Sequence, residues 1–151
     1  MQFFKNILNR AKNLYACGLK ENIFFMHIPK CGGTSISHAI RRKYLTPDFI
    51  GNRIVSLDTH ASSNTAKLLD VQTLKFRENL LLYFMNIKNV KYISGHFSFS
   101  EIAFREFHNK FAFVTVLREP VKRWISFYFY NRYKESTHCK TETDITTFIQ
   151  S

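Results

Sequence analysis

Residues 23–35 read IFFMHIPKCGGTS. An unbroken apolar run leads into a short loop with a lysine, two adjacent glycines and two hydroxyls. Residues 22–28 suit a strand buried on both faces of a parallel sheet. A helix is expected from Thr34 through SISHAIRRKY, ending before Pro47. Strand, glycine turn and helix are the makeup of a phosphate cradle. Gly32 and Gly33 let the backbone approach an anion closely. The N–H groups of residues 32–35 and the helix N-terminus point positive charge at it. Lys30 adds a full charge, and Thr34 and Ser35 add hydroxyl donors. A nucleotide-binding Walker loop places its lysine after the glycines. Here Lys30 precedes them, so the loop is like a P-loop without being the NTP version.

The rest of the chain alternates in the same way. RIVSL at 53–57, VKYIS at 90–94 and FAFVTVL at 111–117 read as strands. Residues 2–17, 64–86 and 100–108 read as helices, and another starts at Pro120, a residue suited to a first helical turn. Asp144 is placed to cap a last short helix. Alternating strands and helices predict an α/β fold: P-loop-like, three layers, a mostly parallel sheet flanked by helices. Ligands on such sheets bind beyond the carboxyl ends of the strands. HIPKCGGTS, SGHFSF and VLREPVKRWIS all fall there.

The 151 residues are expected to form a single domain, 1–151. Hydrophobic residues make up 45% of the chain, which favours a packed core over disorder. No apolar run reaches the length of a membrane-spanning helix, and the basic N-terminus is too interrupted to be a signal-peptide core. Cys17, Cys31 and Cys139 are scattered, against a disulfide framework or a zinc site. A cytoplasmic protein is therefore expected, with residues 2–17 offering a peripheral membrane contact through Lys5, Arg10 and Lys12. The net charge of +11, from 22 basic and 11 acidic residues, favours an anionic partner.

Arg118 leaves a strand and Ser126 lies on the helix that follows. A guanidinium fork with a nearby hydroxyl suits a phosphate monoester. Taken together, HIPKCGGTS, SGHFSF and LREPVKRWISFYFY, in this order over residues 24–130, resemble the sulfotransferases that use 3′-phosphoadenosine 5′-phosphosulfate (PAPS). The resemblance is closest to the carbohydrate-type branch that includes the heparan sulfate 2-O-sulfotransferases. It implies that Lys30, Cys31, Gly32, Gly33, Thr34 and Ser35 hold the 5′-phosphosulfate. Lys30 would stabilise the oxygen bridging phosphorus and sulfur. Arg118 and Ser126 would bind the 3′-phosphate, and His96 would take the proton of the acceptor hydroxyl. His60 is the rival base. His27 is expected to shape the loop. The implied partners are the nucleotide donor and a hydroxyl on a saccharide or glycan, and no metal is expected.

Two departures stand out. Cys31 takes a place where the family more often has a small hydroxyl residue. A thiol at a helix N-terminus is expected to be reactive, so alkylation of Cys31 would block donor binding. Family members also usually continue beyond the aromatic helix, so the domain is read as shortened at its C-terminus: a minimal member, a truncated chain or a degenerate remnant. Two other functions compete. A nucleotide phosphotransferase would use Asp58 as its magnesium ligand. A basic nucleic-acid-binding protein would use the charge together with interleaved aromatics for stacking, although most of the aromatics fall at strand or helix-core positions.

Overall fold

The computed structural model describes residues 21–44, 53–137 and 140–150. Within them lie four strands and six helices. These are β1 (Asn22–Met26), α1 (Gly33–Tyr44), β2 (Arg53–Ser56), α2 (Thr59–Leu68), α3 (Thr73–Asn86), β3 (Val90–Gly95), α4 (Glu101–Phe107), β4 (Phe111–Thr115), α5 (Pro120–Tyr133) and α6 (Ile145–Gln150). The strands form one sheet in the order β2-β3-β1-β4, and every pairing is parallel. The expected helix over 2–17, Cys17 and Cys139 lie outside the described residues.

β1 is central and its middle residues Ile23, Phe24 and Phe25 are buried. Its side chains divide between two cores. Phe24 joins Leu81 and Met85 of α3, Ile93 of β3 and Ala103 of α4 on one face. Ile23 and Phe25 join Tyr44 and Ile40 of α1, with Tyr92 of β3, on the other. Helices thus cover both faces of the sheet, giving the three layers expected. Burying a side chain the size of Phe24 contributes about 1.5–3 kcal/mol, and its ring is 1% exposed.

This layering opens the site. The chain leaves β1 through α1 on one face, while it leaves β3 through α4 on the other. Neighbouring strands whose connections part in this way leave a crevice beyond their carboxyl ends. The register Met26↔Gly95 puts the next residues, His27 and His96, side by side at its mouth. A bond from the His27 N–H to the Gly95 carbonyl (2.9 Å) extends the pairing by one residue.

One expectation is corrected. Residues 64–86 are not one helix but α2 and α3, separated at residues 69–72. Asp58 starts the first earlier than expected, its side chain accepting the Ala61 N–H. Asp70 ends it, with a left-handed φ of 51°. The Asp70 N–H donates to the Lys67 carbonyl and the Val71 N–H to the Ala66 carbonyl, the paired bonds of a Schellman C-terminus. The leucine pattern runs through this break, and without Gly or Pro nothing in the sequence marks it.

A left-handed residue with a Cβ carries strain that glycine lacks. Asp70→Gly is therefore expected to stabilise the protein by about 0.5–1 kcal/mol, the left-handed penalty less the extra entropy glycine loses on folding, raising the melting temperature by about 1–4 °C. Thermal denaturation of the two proteins side by side checks this; a lower melting temperature in the variant would contradict it.

Candidate active site

The loop between β1 and α1 is bent by two left-handed residues, Lys30 (φ 66°) and Gly32 (φ 77°). Gly33 opens α1 for a different reason. A Cβ there would lie 2.2 Å from Cδ2 of His27, so only glycine lets the imidazole pack against the helix start. The first turn of α1 carries no acidic residue. Its N–H groups lack intrahelical acceptors, and the helix dipole adds to their positive potential.

Two arginines from the segment after β4 hold the other side of the loop. Arg118 donates from an NH group to the Lys30 carbonyl at 3.4 Å. Arg123 donates from Nε to the Pro29 carbonyl at 3.1 Å. Both are exposed. The loop carbonyls are thus engaged by guanidinium groups. The Lys30 Nζ lies 3.9 Å from the centre of the Tyr130 ring, a cation–π distance.

These parts surround an open cleft of about 440 Å³, lined by His27, Pro29, Lys30, Gly32, Gly33, Thr34, His96, Arg118, Ser126 and Tyr130. Of the residues singled out in the sequence, Lys30, Gly32, Gly33, Thr34, His96, Arg118 and Ser126 come together here. Ser35 is exposed on the first turn of α1 and does not line the cleft. Cys31 is 6% exposed and also does not line it. The reactivity expected of its thiol therefore meets a steric obstacle: the sulfur is covered in the folded protein. His60 lies in the first turn of α2 and lines neither this cleft nor its neighbour.

Among the described residues, no carboxylate lines this cleft. Glu119, the nearest acidic residue in sequence to Arg118, turns its carboxylate to the start of α5. There it accepts the N–H groups of Val121 (2.9 Å) and Lys122 (2.7 Å). Those bonds hold its pKa below the usual carboxylate range. Asp58, the candidate magnesium ligand of a phosphotransferase, is engaged in capping α2.

A second cleft of about 210 Å³ shares His27, Thr34 and His96 with the first. Its remaining wall includes Ser37, His38 and Arg41 of α1, Ser56, Thr59 and Ser94. His38 and Arg41 were not singled out in the sequence. A helix period puts residues 34, 37, 38 and 41 on one face, and that spacing could have found them.

His96 and His27 form the wall between the clefts. Their rings stack with centres 4.7 Å apart and planes at 25°. Nδ1 of His96 lies 2.7 Å from the His27 carbonyl oxygen. A carbonyl can only accept, so Nδ1 carries the hydrogen and Nε2 of neutral His96 keeps its lone pair. The main-chain carbonyl of His96 is held in turn by Arg77, a buried residue of α3 that the sequence did not single out.

A cationic cleft at a glycine turn, joined to a second cleft across a histidine with a free nitrogen, is suited to group transfer from an anionic donor. The sequence matches the profile of the sulfotransferase family over residues 17–149, and the chain belongs to that family. No curated protein and no solved structure gives a significant match. Membership supports sulfuryl transfer in general and agrees with the fold described above. Among the described residues, no helix is long and apolar enough to cross a membrane.

Burial and the neighbouring His96 ring lower the pKa of His27 below its ordinary 6.5. The unfolded chain takes up this proton first as pH falls. The contribution to stability is thus whole above pH 6.5 and is lost as pH drops below that value, through the folded-state pKa. The carboxyl groups of Glu78 and Glu119 have pKa values below 4.5, and that of Asp144 lies below 3.8, so they act in a more acidic window. Urea titrations at pH 7.5 and 5.5 are expected to show lower stability at pH 5.5, with the difference reduced in His27→Gln. An equal difference in the variant would assign the effect to another group.

Proposed function

We propose that the protein transfers a sulfuryl group from PAPS to a hydroxyl, carried by a saccharide. The observation that carries this reading is the convergence of Lys30, the glycine turn, Arg118 and Ser126 on one cleft that no carboxylate lines among the described residues. The donor set fits a multiply charged adenosine nucleotide: two separate cationic groups, two hydroxyls and a helix N-terminus. When bound, PAPS supplies an activated sulfuryl group. Transfers of this kind leave a protein mainly the work of positioning and charge stabilisation.

Each residue then has a defined task. The turn from Lys30 to Thr34 holds the 5′-phosphosulfate through backbone N–H groups and the Thr34 hydroxyl. Lys30 brings its charge to the bridging oxygen. Arg118 and Ser126 take the 3′-phosphate. The acceptor enters by the second cleft, where Ser37, Ser56, Thr59 and Ser94 offer a hydroxyl-rich wall suited to a sugar. Nε2 of His96 accepts the hydroxyl proton. His27 orients that ring by accepting from its Nδ1–H.

Binding of 3′-phosphoadenosine 5′-phosphate, the spent donor, tests the reading by calorimetry. Measurable affinity is expected. Arg118→Ala should weaken it by about tenfold to a hundredfold, the effect of losing a charge-assisted hydrogen bond worth roughly 1.5–3 kcal/mol. Lys30→Ala should weaken it less. His96→Ala should bind as the parent does, while transfer of labelled sulfate from PAPS to a mixture of soluble polysaccharides falls by roughly 10²–10⁴. Absence of nucleotide binding, with steeply salt-dependent oligonucleotide binding in its place, would favour a nucleic-acid-binding protein.

A further inference from the structure

We infer that Arg77 is a positioning residue for His96, fixing the proton acceptor relative to the wall of the second cleft. The inference rests on the role given to His96 above. Arg77 is 8% exposed. Its guanidinium donates to four acceptors: the Ser62 hydroxyl from Nε (3.0 Å), the His96 carbonyl from one terminal NH group (3.2 Å), and from the other the Thr59 carbonyl (3.2 Å) and the Ser63 hydroxyl (3.1 Å). All four acceptors are neutral, and among the described residues no carboxylate pairs with it.

A buried charge without a counter-charge is costly. Packing alone would be served as well by an apolar side chain of similar volume. What the guanidinium does that an apolar chain could not is join two pieces of backbone. One is the His96 carbonyl, which lies beyond the end of β3 and has no partner in the sheet ladder. The other is the first turn of α2, where Thr59 lines the second cleft. His96 is thereby held at two points. Arg77 sets the peptide from which its side chain projects, and the His27 carbonyl sets the ring.

The other charged or titratable groups near the ring are His27, stacked on it, Lys30 and Arg118 in the first cleft, and His38 and Arg41 in the second. Arg77 approaches from the main-chain side. Its removal is expected to act on geometry, where a displacement of about 1 Å can cost about 10²-fold in rate.

The test is nitrogen-15 NMR of histidine-labelled protein, comparing the parent with Arg77→Met and Arg77→Lys. In the parent, neutral His96 should show a single tautomer with hydrogen on Nδ1, protected from exchange by its bond to the His27 carbonyl. In Arg77→Met a mixture of tautomers and faster exchange are expected. Lysine keeps the charge but cannot span four acceptors, so Arg77→Lys should be intermediate. Affinity for 3′-phosphoadenosine 5′-phosphate should stay within about twofold in both, because no hydrogen bond of Arg77 reaches the first cleft apart from the one to the His96 main chain. Turnover, read as release of that nucleotide from PAPS with the polysaccharide mixture, should fall by about tenfold to a hundredfold. Should Arg77→Met fail to fold, Arg77→Lys is judged by the same measures. An unchanged His96 signal in a folded variant, or a loss of nucleotide affinity equal to the loss of turnover, overturns the inference. His96→Ala separates the two levels: full turnover there removes the base role itself, whereas lost turnover there with unaltered Arg77→Lys removes only the positioning role.

Discussion

The parallel register between the first and third strands is the constraint on which the site depends. Met26 lies opposite Gly95, and the bond from the His27 N–H to the Gly95 carbonyl carries the alignment one step past the sheet. Two imidazoles 69 residues apart in the sequence therefore stack. A slip by one residue would exchange the faces of every side chain on a strand buried on both sides. The core thus fixes the register, and the register fixes the histidine pair. Gly95 takes part as well: a Cβ there would lie 2.4 Å from Cβ of Leu57, so the end of the third strand approaches the residue after Ser56 only without a side chain.

Charge in the cleft follows from where the acids are used. The chain carries 11 acidic residues, and those nearest the site in sequence are engaged at helix starts. Glu119 caps one helix and Asp58 another. Each satisfies N–H groups that would otherwise lack acceptors, and the Glu119 carboxylate also feels the charge of the neighbouring Arg118. Among the described residues, the cleft wall itself carries Lys30 and Arg118 and no acid.

Much of this was legible in the sequence, and the limits have identifiable causes. The strands at 22–26, 90–95 and 111–115 announce themselves as short apolar runs between turn signals. The glycine turn and Arg118 were legible as chemistry, since few structural needs place a lysine, two glycines and two hydroxyls together. The stacking of His27 on His96 was not, because strand order and register are three-dimensional facts. Arg77 was illegible for another reason: a single arginine within a leucine-rich helix reads as a solvated residue. Cys31 misled because proximity to a helix start says nothing about whether the sulfur is covered.

The break at Asp70 reaches further than local geometry. Had residues 59–86 formed one straight rod, Thr59 and Arg77 would stand about 27 Å apart along its axis, at 1.5 Å per residue. Reversal of the chain at one left-handed aspartate brings them within hydrogen-bonding distance. A hairpin whose two arms are tied by a single guanidinium behaves as a clasp. Insertions or deletions in residues 69–72 would slide one arm past the other and unfasten it, so this short corner should tolerate changes of composition far better than changes of length.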